Sequence, residues 1–122
     1  MKISDLNITD LTDKGVDCVI YDPITFENTD ITITVFGVGS RAFKNGKREA
    51  AKAKVLSKSE SEDYIIHYIA ASMIKSWENV EDDEGEIEFS INNAINLFET
   101  CPFIYRQLES FIEDNSNFFL RK

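Results

Sequence analysis

Residues 16–36 read VDCVIYDPITFENTDITITVF, two runs rich in β-branched residues on either side of a polar stretch holding Pro23, Asn28 and Asp30. That pattern predicts a hairpin. In the second run Ile31, Ile33 and Val35 alternate with Thr32, Thr34 and Phe36, the period of two that turns one sheet face to a core. A parallel sheet covered on both faces would read as a near-continuous apolar run, so antiparallel strands are expected.

Beyond Ser40 the period changes. Residues 40–57 are rich in Ala and Lys, with Ser40 placed to cap a helix and Gly46 as its weak spot. Arg41, Lys44, Lys47, Arg48, Lys52, Lys54 and Lys58 face only Glu49, which gives this segment +6 and leaves −15 on the rest of a chain of net charge −9. Next, SKSESEDYIIHYIAASMIKSW predicts a central helix that starts at Ser59 or Ser61 and closes at Trp77. Its apolar residues spread around the circumference, as in a helix packed on several sides. An acidic turn follows, then a helix capped by Ser90 with Ile91, Ile95 and Phe98 on one side. Pro102 opens another at its first position, with Phe103, Ile104, Leu108, Phe111 and Ile112 as the apolar stripe. A capped turn or short helix ends the chain with Phe118, Phe119 and Leu120 in need of cover. The expectation is one α+β domain over residues 1–122. A hairpin or small antiparallel sheet at 16–36 packs on about four helices within 40–120.

A chain of 122 residues can bury a core, and 43% apolar residues with only seven Gly and Pro exclude global disorder. The acidity argues against a protein whose main task is neutralising phosphate. Cys18 and Cys101 form no CxxC or Cys/His grouping, so both read as reduced thiols, without disulfide or zinc. No signal-like stretch opens the sequence and no run of roughly 18 apolar residues occurs, so the cytoplasm is the expected compartment.

Four constellations invite chemistry, and each reads more simply as structure. The acidic stretch VEDDEGEIEF lays Gly85 and Ile87 on an EF-hand loop, but the first and twelfth ligand positions are then Val80 and Ile91, so no calcium site is expected. Gly37, Gly39 and Ala42 form GxGxxA between a strand and a helix, yet the next segment is helical where a dinucleotide fold needs a strand ending in an acid. His67 is the only histidine and has no nucleophile or carboxylate at triad-like spacing. The carboxylates crowd polar loops, where spacing reports no acid/base pair. No catalytic residue, cofactor or metal is therefore assigned, and no enzyme is expected. The basic helix reads as a solvated face or a protein contact rather than a nucleic-acid site, since only Phe43 interleaves with its charges. Its +6 could also meet the acidic remainder of a second copy, giving head-to-tail self-association.

The second half, from SWENVEDDEGEIEFSINN through AINLFETCPFIYRQLESFIEDNSNFF, is similar to the tail assembly chaperones of long-tailed, non-contractile bacteriophages. The order carries the likeness: Trp77, then Asp83 with Gly85, Phe89 with Ser90, Asn93, Leu97, Pro102, Gln107, and Asn117 with Phe118. GVGSRAFKNGKREAAKAK resembles the family's turn and basic helix more loosely, and Asn92 stands where the family commonly has an acid. The resemblance covers roughly residues 37–119. It implies the short form of a lambda-type chaperone in the host bacterial cytoplasm, which binds the tape measure protein during assembly and is absent from the finished virion. It also implies an extended frameshifted form that recruits tail tube subunits. Arg41, Lys44, Arg48, Trp77, Phe89, Phe118 and Phe119 are the residues expected at a partner surface. The alternatives are a minor tail protein kept in the virion, or a small nucleic-acid-binding regulator acting through the basic helix 41–58.

Overall fold

The computed structural model describes residues 2, 13–38, 40–57 and 62–118. Gly39, Lys58, the helix-start candidates Ser59 and Ser61, Phe119 and Leu120 lie outside them.

β1 (Val16–Tyr21) and β2 (Asn28–Val35) form the expected antiparallel hairpin, with Cys18 opposite Ile33 and Val19 opposite Thr32. Alternation sorts the faces: Cys18, Ile20, Ile33 and Val35 are buried, while Asp17 and Val19 point outward. Burial pushes the Cys18 thiol up to about 11. On the outer face the Thr34 hydroxyl donates to Asp17 Oδ1 at 2.6 Å. The ladder loses register between Val19 and Tyr21, and there the Thr29 hydroxyl takes the Ile20 carbonyl at 2.6 Å.

The sheet has a third strand that the helical reading of 40–120 did not contain. β3 (Ile74–Glu78) pairs antiparallel with β2, placing Trp77 opposite Ile33, so the order is β1-β2-β3. The central helix therefore stops at Ser72 and does not reach Trp77. Met73 N–H closes a turn on Ala70 O, and Met73 O accepts from Phe36 N–H at 2.7 Å, which delivers the chain to the sheet. Met73, Ile74 and Trp77 lie at spacings that a helix would also give, and a strand of five residues is too short for periodicity to decide. Pairing satisfies a β2 edge that would otherwise carry free backbone groups.

Around this sheet lie α1 (Arg41–Ser57), α2 (Glu62–Ser72), α3 (Ile91–Thr100) and α4 (Pro102–Glu113), then a 3-10 turn at Asn115–Phe118. The caps match the sequence. Ser40 Oγ accepts from Phe43 N–H at 3.1 Å, Ser90 Oγ from Asn93 N–H at 3.0 Å, and Pro102 opens α4. α2 touches α1, α3, α4 and β3, the central position its all-round apolar pattern predicts. Gly46 has a role beyond weak helix propensity, since a Cβ there would come within 2.7 Å of Ser72 Cβ where α1 meets α2. The core runs from Ile20, Ile33 and Val35 of the sheet through Met73 to Phe98, Leu108 and Phe118.

A candidate binding groove

Of the residues expected at a partner surface, Arg41, Lys44 and Arg48 share one exposed stripe of α1, three and four residues apart. None makes an ion pair among the described residues, where the single pair is Lys52 with Glu49 at 3.4 Å. Lys47 is engaged otherwise, its ammonium 4.4 Å from the centre of the Phe43 ring.

Trp77 and Phe89 are brought together elsewhere, on the far side of the acidic turn. Their rings meet edge to face at 5.2 Å, and Trp77 Nε1 donates to Ile87 O at 2.8 Å. Both are half-buried, so they act first as a clamp on the turn and only secondarily as surface. The turn is a small hairpin, β4 (Glu81–Asp82) with β5 (Gly85–Glu86), in which Gly85 takes a φ of 126° that a side chain would resist. Asp82 Oδ1 accepts from Glu84 N–H at 2.8 Å, as an Asx turn does. Among the described residues no three His, Cys, Asp or Glu side chains are grouped as metal ligands.

Phe118 is corrected from surface to core. Its ring is fully buried and meets Phe111 edge to face at 6.0 Å, and Asn117 ties the turn down by donating from Nδ2 to Phe111 O. A terminal aromatic cannot be assigned to core or surface by sequence when the last helix ends just before it.

What the sequence missed is an apolar groove of about 540 Å³ where α2, α4 and the start of α1 meet. Ile66, Ile69 and Ala70 line it from α2 and Met73 from the turn after it, Tyr105, Glu109, Ile112 and Glu113 from α4, and Val38 and Phe43 from the third side. Ile66 and Val38 remain 45% and 41% exposed, large side chains facing solvent at one concavity. The Tyr105 hydroxyl donates to Glu109 Oε2 at 2.5 Å. Burial, then that hydrogen bond, then the Glu109, Glu113 and Asp63 charges push the phenol well above its ordinary range, so it stays a donor at the groove rim. His67 closes the neighbouring wall, its ring 5.0 Å from Tyr105 and 5.8 Å from Phe98. Among the described residues its Nδ1 is buried without a hydrogen-bond partner.

A second apolar surface escaped notice inside the turn DPITFEN. Ile24 and Phe26 are 86% and 75% exposed, and Phe26 holds a positive φ of 62°. The loop is firmly built: Asp22 Oδ1 accepts from Ile24 and Thr25 N–H, which lowers the Asp22 carboxyl, and Phe26 N–H bonds to Asp22 O. Below it Gln107 grips β1 with both ends of its amide, Nε2 to Tyr21 O at 2.9 Å and Oε1 from Tyr21 N–H at 3.0 Å. The available signal was two large apolar residues within a turn sequence.

Comparison with protein-family models, with curated proteins and with solved structures finds no match. No described helix is long and apolar enough to cross a membrane.

Proposed function

We propose that the chain is a phage tail assembly chaperone, and that it holds apolar segments of the tape measure protein in the α1–α2–α4 groove. The observation that supports this is the groove itself, with Ile66 and Val38 left open to solvent in a small, strongly acidic domain. A holding protein needs a rigid core, an apolar concavity for its client and charge that keeps the complex in solution. α4, which lies within the stretch similar to the chaperone family, forms one wall of this groove. The basic stripe of Arg41, Lys44 and Arg48 and the Trp77–Phe89 clamp lie at other places, and serve neighbouring copies or the tube rather than the client segment.

The client would be released as the tube closes around it, so the protein acts in the host cytoplasm and works without a cofactor. Co-expression with the tape measure protein encoded in the same phage tests this. The expected outcome is soluble tape measure protein that co-purifies with the chain, and purified virions in which mass spectrometry detects no copy of it. Copies retained in virions at stoichiometric amounts would favour a minor tail protein instead.

A further inference from the structure

We propose that the occupant of this groove is an amphipathic α-helix of two or more turns, with lysine or arginine beside its apolar stripe. The proposal rests on the groove being the client site, and adds what the client segment must look like.

The backbone decides between helix and extended chain. Of the described residues that line the groove all but Val38 and Met73 belong to helices, whose peptide groups are largely bonded within themselves, none belongs to a strand, and the Met73 carbonyl is already taken by Phe36 N–H. An extended segment laid there would leave its own N–H and C=O groups facing side-chain carbon, buried without partners. A helix brings its backbone bonds with it. The walls also have helical spacing: Ile66, Ile69 and Ala70 run i, i+3, i+4 on α2, and Tyr105, Glu109, Ile112 and Glu113 run i, i+4, i+7, i+8 on α4, a ridge about two turns or roughly 12 Å long. A third helix seats on such a ridge with side chains repeating three and four residues apart.

Charge selects the flanks. Glu109 and Glu113 stand one turn apart on the α4 rim, and neither forms an ion pair among the described residues. Among the described residues Glu109 accepts only from the Tyr105 hydroxyl. Of the described residues that line the groove, Glu109 and Glu113 are the only charged ones, and Lys47, one turn along α1 from Phe43, is held over that ring. A basic flank on the incoming helix answers two unpaired carboxylates, whereas an acidic flank meets them as like charges.

Calorimetric titration of the whole chain with three synthetic peptides of about five turns tests this. All share a leucine stripe; one carries Lys flanks, one Glu flanks, and one Lys flanks with two central prolines. The Lys peptide is expected to bind about tenfold tighter than the Glu peptide, and the proline peptide at least about tenfold weaker than its parent. In E109Q/E113Q, which keeps side-chain shape and an acceptor for Tyr105, the preference for Lys should fall to about threefold or less, what remains being net charge. Equal binding of the proline peptide overturns the helical occupant, and an undiminished Lys preference in E109Q/E113Q overturns the role of the rim. The two levels separate cleanly. If I66D loses the tape measure protein while the peptides show neither preference, the groove stands and its helical, basic occupant falls. If I66D retains the tape measure protein, the groove itself falls.

Discussion

Gly46 carries more of the fold than its residue type suggests. In an isolated helix Ala would be preferred to Gly by roughly 1 kcal/mol, but here a Cβ would collide with Ser72 Cβ at 2.7 Å, a rigid atom on a packed helix. G46A is therefore expected to destabilise, by about 1 to 3 kcal/mol, with S72G restoring most of the loss; urea titration of the two variants and their combination measures it. Ser90 is a simpler case, a cap on one N–H, and S90A should cost about 1 kcal/mol in the same experiment. Cys18 gives a pH signature. Its thiol rises from 9.0 to about 11 on folding, so the unfolded chain loses that proton first as pH climbs. Stability from this group is complete below pH 9 and declines from there through about 11. A C18A variant should flatten that alkaline decline, and equal pH slopes for the two proteins would count against a buried thiol.

At the scale of elements, the sequence was legible wherever local chemistry is decisive. Alternation in ITITV, Ser40 and Ser90 as caps, Pro102 at a helix start and Gly85 at a turn each act through groups a few residues away, and all are found in those roles. β3 was not legible, because Ile74–Glu78 gains its strand identity from β2, some forty residues earlier in the chain. Phe118 and the groove failed for the same reason: which face of a helix is covered depends on where its neighbours end. Ile66 sat plainly within an apolar pattern, but only the placement of α1 and α4 leaves it open. The Trp77–Phe89 clamp now fixes the end of β3 to the acidic turn, so W77A should cost about 3 kcal/mol by denaturant titration. A loss below about half that would mean the turn is held by its own hydrogen bonds.

At the scale of the molecule, the described residues form a three-stranded sheet and four helices around one core, with apolar surfaces left open at the α1–α2–α4 groove and the Ile24–Phe26 tip. They sit on different sides of α4, with Phe103, Arg106, Gln107 and Ser110 lining the cleft beneath the tip, and Tyr105, Glu109, Ile112 and Glu113 the groove. Two such surfaces suit a protein that holds a client while contacting something else. I66D should leave the melting temperature within a few degrees of the parent, since a half-exposed side chain contributes little to the core, and should still abolish client retention. The most direct measurement is hydrogen exchange across the chain, alone and in complex with the tape measure protein. Slowed exchange in α2, the turn at Met73 and α4, around Ile66, Met73, Glu109 and Ile112, is the result expected of a client seated in the groove. Unchanged exchange there, with protection confined to the Ile24–Phe26 tip or the Trp77–Phe89 clamp, would contradict it.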